Sequence, residues 1–183
     1  MSVATPVGLE NCPLPEPALP HAARKVPLAP VSLAQSAREA VAVARARFPA
    51  NVSVGVTVDE ALFALGDERV LVQVLVNLLV NGAQAVPDGR RGHVAVQAEG
   101  REDGTVLVVV SDDGSGMEDH VLRRVFEPFF STKPTGVGTG LGLAVSRGLV
   151  ASIGGKLHLE SSAGRGTRAK LELAGADRPG EQA

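Results

Sequence analysis

Residues 67–86 read DERVLVQVLVNLLVNGAQAV, and Pro87, Asp88 and Gly89 close the stretch. Asp67 is placed to cap a helix beginning at Glu68, and Leu71, Val74, Leu75, Leu78, Leu79 and Val80 make nearly every face of that helix apolar. Such a helix is predicted to be largely buried. Against that background Gln73, Asn77, Asn81 and Gln84 or Ala85 recur at steps of about four residues and share one stripe. Buried carboxamides need partners. One reading is a structural hydrogen-bond network or a partly solvated face. The other is a side-chain carbonyl oxygen that completes the shell of Mg²⁺, whose remaining ligands are phosphates and waters. Spacing alone does not choose between them.

Upstream of this helix, Val52, Val54, Val56 and Val58 alternate strictly, and Leu62, Phe63 and Leu65 follow a short turn, so the two runs are read as a strand pair. From Ser32 to about Phe48, Leu33, Ala37, Ala40, Val41 and Ala44 stand at helical spacing behind Ser32 as N-cap. Residues 1–30 hold seven of the 12 prolines with no period, and read as a linker or tail. Downstream, His93–Ala98 and Thr105–Ser111 look like a hairpin across Asp103 and Gly104. Asp112 to Thr139 is a long stretch punctuated by glycine and proline, with one short helical piece near Met117–Val125, and is expected to be a lid. A helix from near Gly140 to Ile153 stops at Gly154 and Gly155, and Lys156–Ser161 and Thr167–Leu173 make a last strand pair. Strand pairs interleaved with single helices predict an α/β (α+β) two-layer sandwich over residues 31–175. Its sheet would be mixed and mainly antiparallel with helices on one face, and residues 176–183 would be a frayed tail.

Composition narrows the function. A net charge of −2 gives no sequence-wide attraction to nucleic acid or an anionic membrane, and an aromatic content of 3% without Trp or Tyr supplies no stacking platform for single strands. No apolar run approaches the about 18 residues of a membrane span, so no direct membrane contact is expected. The single cysteine, Cys12, with four scattered histidines fits a reducing, cytoplasmic setting and makes no zinc-type cluster.

Three segments could carry chemistry. Ser111-Asp112-Asp113-Gly114-Ser115-Gly116-Met117 follows a strand. It is either an ordinary turn or a carboxylate set to accept a hydrogen bond from an exocyclic amine, with glycines admitting backbone close to a ring. Gly136-Val137-Gly138-Thr139-Gly140-Leu141-Gly142-Leu143 runs into a helix and is either a hinge or a backbone cradle for a triphosphate. No G-x-x-x-x-G-K-S/T occurs, and no strand immediately precedes these glycines, which excludes a P-loop and a dinucleotide fingerprint. Phe126-Glu127-Pro128-Phe129-Phe130-Ser131-Thr132-Lys133 is either an aromatic cluster pinning the loop or a docking element.

Taken in order, these segments and the turn Gly164-Arg165-Gly166-Thr167 resemble the catalytic, ATP-binding domain of bacterial sensor histidine kinases. That domain belongs to the superfamily shared with DNA gyrase, mismatch-repair ATPases and a heat-shock chaperone. The resemblance implies that Asn81 ligates Mg²⁺ of Mg²⁺-ATP, that Asn77 lines the same site, and that Asp112 recognises the adenine amine, helped through water by Thr167. Gly114, Gly116 and Met117 would shape the base pocket, and Gly138, Thr139, Gly140, Leu141 and Gly142 would give contacts to the phosphates. The Phe126–Lys133 stretch is similar to the lid motif of nitrogen-regulation-like kinases, where Lys133 would offset phosphate charge in place of the lysine that many such kinases carry at the position of Gln84. Members that hydrolyse ATP carry a glutamate general base where this chain has Asn77, and an amide takes no proton from water. The implied partners are a dimerisation domain bearing the phosphoacceptor histidine, and beyond it a response regulator. None of His21, His93, His120 or His158 has acceptor surroundings, so the acceptor would act in trans. A nucleotide-dependent switch or an anti-sigma-type serine kinase is the competing function, and a decayed nucleotide-binding module the third.

Overall fold

The computed structural model describes residues 28–132 and 139–180. β1 (Ala29–Ser32) runs directly into α1 (Leu33–Ala44), and Ser32 makes the junction: its hydroxyl accepts the Gln35 N–H at 3.3 Å. A 3-10 turn at Arg45–Arg47 leads to β2 (Val52–Thr57), β3 (Phe63–Gly66) and α2 (Glu68–Gln84). Asp67 caps α2 by accepting the Arg69 and Val70 N–H groups at 2.8 and 3.1 Å. β4 (Gly92–Gly100) and β5 (Thr105–Asp112) form the predicted hairpin. A short α3 (Asp119–Leu122) and then α4 (Gly142–Ser152) precede the hairpin of β6 (Lys156–Ser161) and β7 (Thr167–Ala176).

The strands form one sheet in the order β1-β3-β7-β5-β4-β2, with β6 also paired to β7. β7 is its hub: β5 occupies one side, and β6 and the start of β3 share the other. Every pairing is antiparallel except β2 with β4, which matches the mixed, mainly antiparallel sheet read from the sequence.

Two details differ from that reading. β2 and β3 are strands but not a hairpin: β2 lies beside β4 at one edge, whereas β3 lies between β1 and β7. Alternation fixes which face a strand buries and leaves its partner open, because the partner is chosen by tertiary packing. Ala29 and Pro30, assigned to the linker, lie in β1, which pairs with β3 from Ala29 opposite Gly66 to Ser32 opposite Phe63. Proline is tolerated there because β1 is an edge strand. The rest of the proline-rich start, and residues 133–138 of the expected lid, fall outside the described residues.

α1, α2 and α4 cover one face of the sheet. Register brings Val106 opposite Leu173, Val108 opposite Leu171 and Val110 opposite Ala169, all buried beneath α2. Leu71, Val74, Leu75, Leu78 and Leu79 of α2 fill the same core, as its all-round apolar pattern requires. The other face carries Lys156, His158, Glu160, Arg168 and Lys170 on β6 and β7, with Leu107 and Val109 of β5 buried among their neighbours.

Within α1, Ser36 is fully buried and its hydroxyl has no hydrogen-bond partner among the described residues. Removing it relieves an unpaired polar group and gains helix propensity, so Ser36→Ala is expected to stabilise the domain by about 1 kcal/mol. A rise in the urea midpoint at unchanged slope checks this.

Candidate functional site

The C-terminal half of α2, the ends of β5 and β7, and the start of α4 enclose a cavity of about 280 Å³. Leu78, Val110, Met117, Leu143, Leu159 and Ala169 supply apolar wall. Asn81, Asp112, Thr167, Gly140 and Gly142 bring polar groups from four separate elements or their flanks to the same space. No lysine or arginine is among the described lining residues.

Asp112 ends β5, opposite Val94 of β4 and Thr167 of β7. Its Oδ1 accepts the Gly114 N–H at 2.9 Å. A methyl group at position 82 would lie 3.1 Å from Asp112 Cβ and 3.3 Å from Oδ2, so the bare backbone of Gly82 is what lets the carboxylate lie against α2. Burial pushes the Asp112 pKa above the ordinary carboxylate value. The Gly114 and Thr167 N–H groups and the charge of Arg90 oppose that shift, while neighbouring Asp113 adds to it. A half-buried acceptor beside the apolar walls can accept from a neutral N–H donor such as an exocyclic amine.

Thr167 is oriented by a small hydroxyl network. Ser161 Oγ accepts the Met117 N–H at 2.9 Å and donates to Gly166 O at 2.8 Å. With its proton spent there, the 3.0 Å contact between Ser161 Oγ and Thr167 Oγ1 has Thr167 as donor. The Thr167 oxygen keeps its lone pairs and faces the cavity as an acceptor.

The carboxamide stripe divides. Asn81 lines the cavity, and its side chain makes no hydrogen bond among the described residues. Asn77, expected to line the same site, does not: its Nδ2 donates to Ser146 Oγ at 2.9 Å, and a methyl at Gly142 would lie 2.6 Å from its Oδ1. It ties α2 to the first turns of α4. Gln73 and Gln84 are exposed. The structural reading of the stripe thus holds for Asn77, whereas Asn81, one turn on, opens onto the cavity.

Leu141, which precedes α4, supplies no side-chain cap, and Gly140, Gly142 and Leu143 line the cavity. The N–H groups of the first turn and the positive end of the helix dipole therefore abut it. The Leu141 N–H makes only a long contact of 3.4 Å to Thr139 Oγ1. Gly140 adopts φ +66° with its carbonyl accepting the Phe129 N–H at 3.0 Å, a close backbone approach that leaves no room for a side chain. Gly116 lines the pocket, whereas Gly114 packs on Ala85 and supports the turn from behind. Lys133 and Gly138 lie outside the described residues.

The phenylalanines separate too. Phe126 joins the core under the guanidinium of Arg147, 4.7 Å away, and Phe130 lines the cavity with Arg124 4.4 Å from its ring. Phe129 is 77% exposed. Among the described residues no cluster of His, Cys, Asp and Glu could hold a metal by itself, so a divalent ion here would draw most of its ligands from phosphate and water.

Gly82, Ser146 and Ser161 were not singled out by sequence. Gly82 had a signal, since glycine inside a helix costs about 1 kcal/mol and wants a reason. The two serines had none, because their partners are distant in the chain.

Residues 66–176 match the family of histidine kinase-, DNA gyrase B- and HSP90-like ATPases. The chain belongs to that family. It is 37% identical over 128 residues to sensor protein FixL of Bradyrhizobium diazoefficiens, covering 69% of this chain and 25% of FixL. The chain spans a quarter or less of the first curated relatives it matches. Among solved structures, the mycobacterial sensor histidine kinase MprB superposes with a TM-score of 0.71 at 28% identity, covering 82% of this chain and 99% of that one. Full-length ShkA in complex with AMPPNP gives 0.74 at 28% identity, covering 86% of this chain and 33% of ShkA. The α/β sandwich seen here is that of the histidine kinase ATPase domains.

Because the folded state raises the Asp112 pKa above its unfolded value, its contribution to stability is fully present below the unfolded pKa and is lost as pH rises through the folded one. Asp112→Asn is therefore expected to melt higher than wild type at pH 7. The difference should shrink as pH falls through the raised titration range, which thermal melts across pH would show.

Proposed function

We propose that this domain binds Mg²⁺-ATP, with the adenine amine on Asp112 and the phosphates between Asn81 and the start of α4. It would then transfer the γ-phosphoryl group to a histidine on a separate dimerisation domain. The observation that carries the reading is that Asn81, Asp112 and the uncapped start of α4 line one cavity in a chain of this ATPase family.

Asp112 accepts from the base, and Thr167 Oγ1 accepts from a water beside it. The first-turn N–H groups of α4 donate to phosphate oxygens and hold the chain of phosphates in line. Asn81 would hold Mg²⁺ through its side-chain oxygen, and the ion when bound offsets phosphate charge. Lys133 would add a cation at the terminal phosphate. The acceptor imidazole attacks the γ-phosphorus with its ring-nitrogen lone pair, the bond to the bridging oxygen breaks, ADP leaves, and the imidazole gives up its N–H proton to solvent.

Water is a poor competitor for that step. Asn77 occupies the position of the family's general base, cannot take a proton, and spends its amide on Ser146. Slow hydrolysis beside competent transfer follows from this substitution. The phosphorylated dimerisation domain would then serve a response regulator, and such a relay belongs in the cytoplasm, where ATP is supplied. Among the described residues no helix is long and apolar enough to cross a membrane.

Calorimetric titration should show Mg²⁺-dependent binding of ATP. Asp112→Ala is expected to weaken it by about 10- to 100-fold, the scale of a lost hydrogen bond to a charged group, and Asn81→Ala to remove the Mg²⁺ dependence while adenosine still binds. Labelled ATP with a bacterial dimerisation domain should yield acid-labile phosphate. Acid-stable label would point instead to a serine kinase, and tight binding with no transfer to any acceptor to a switch or a decayed module.

A further inference from the structure

The turn that delivers Asp112 to the cavity is anchored from outside by a residue that never touches it. Pro87-Asp88-Gly89-Arg90 folds back on itself, with the Arg90 N–H on Pro87 O at 3.2 Å. Asn51 Nδ2 donates to Arg90 O, and the Gly92 N–H returns to Asn51 O at 3.0 Å, so the loop is held from the β2 side. From this fixed base the Arg90 guanidinium reaches across to Asp113, donating through Nη2 to its backbone carbonyl and approaching its Oδ1 at 3.3 Å. Asp113 is further pinned by the ladder: its N–H donates to His93 O at 3.2 Å, and its Oδ1 accepts the His93 N–H at 2.9 Å. Next along the chain, Ser115 N–H donates to Ala85 O at 2.8 Å.

We propose that Arg90 is a positioning residue for the base end of the nucleotide site, clamping the carbonyl and carboxylate of Asp113 so that the turn 112–115 holds Asp112 against Gly82 and aimed into the cavity. The inference rests on the adenine reading above and adds to it a residue on the far side of the loop. A guanidinium suits this task because its charged Nη2 reaches the carbonyl and approaches the carboxylate of Asp113 together.

The clamp also carries charge. Arg90 opposes the effect of burial on Asp112, and Asp113 works in the other direction. Other charges on the packed elements are turned away. The His93 ring bonds Ser53 Oγ at 2.9 Å, Arg168 stands opposite Ser111 on the other face of β7, and the charged residues of α2, Glu68 and Arg69, are at its far end. Arg90 adds a charge that favours the ionised form of Asp112, beside the larger effect of the Gly114 and Thr167 N–H groups and against the burial that raises its pKa.

Binding of ATP and of adenosine to wild type, R90A, R90Q and R90K, titrated by calorimetry from neutral to acidic pH, tests this. R90A and R90Q are expected to weaken both ligands by about fivefold, the scale of one exposed, charge-assisted pair, and to move the acid loss of binding to higher pH. R90K should restore the pH midpoint more fully than the affinity, since it keeps the charge on a shorter, differently shaped head. An unshifted pH midpoint in R90A and R90Q overturns the proposal, whatever their melting temperatures. Loss of ATP binding with adenosine binding intact overturns it as well, by placing Arg90 at the phosphates. Wild type that binds neither ligand removes the adenine reading itself, whereas wild-type binding with unaltered Arg90 variants sinks this inference alone.

Discussion

Asp112 can rest against α2 only because position 82 carries no side chain, and the site is built around that contact. The core underneath sets the distance: Leu75 and Leu79 pack on β5 and β7 and bring the C-terminal half of α2 down onto the strand ends. At that spacing any β-carbon at position 82 would crowd the carboxylate. The helix accepts about 1 kcal/mol of lost propensity there. In return, a charged group from the sheet and an amide from the helix open onto one cavity a single helical step apart. Burying the carboxylate has its own cost, met partly by the N–H groups of Gly114 and Thr167.

What the sequence revealed follows from what is local. The apolar stripe and Asp67 cap of α2, the Ser32 cap of α1, and the hairpins of β4 with β5 and β6 with β7 are set by periodicity and neighbouring residues, and the structure has them. The pairing of β2 with β4 and of β1 with β3 joins segments whose order in the chain carries no such pattern, and Pro30 reads as a strand breaker unless the strand is known to be an edge. The site divides the same way. Asn81 and Asp112 stand out as polar residues at defined points of apolar elements. The role of Asn77 depends on Ser146, 69 positions away, and cannot be read from spacing within one helix.

That link between Asn77 and Ser146 shapes the chemistry open to the site. It fastens the beginning of α4 to the middle of α2, with Gly142 bare so that the two backbones can close up. The N-terminus of α4 is thereby held beside Asn81 by a bond between two side chains that take no part in lining the cavity. The result is a site made of placement, in which an amide, a helix end and a carboxylate from separate elements line one cavity. Such a set is suited to holding and orienting a ligand, which is what the proposed phosphoryl transfer to a separate histidine would ask of it.

Charge then dictates which way round a ligand lies. Among the described lining residues Asp112 is the sole formal charge, and it is negative. The first turn of α4 offers a partial positive end at the other wall. On the proposed reading, an elongated molecule with a polyanionic tail and a neutral, amine-bearing head would be repelled by the first and attracted by the second, placing its tail at α4 and its head at β5. Reversed entry would set several negative charges beside a half-buried carboxylate in a low-dielectric pocket, where the repulsion is hardly screened. Under that proposal the charges of the two walls and the hydrogen bonds at either end would favour the same orientation.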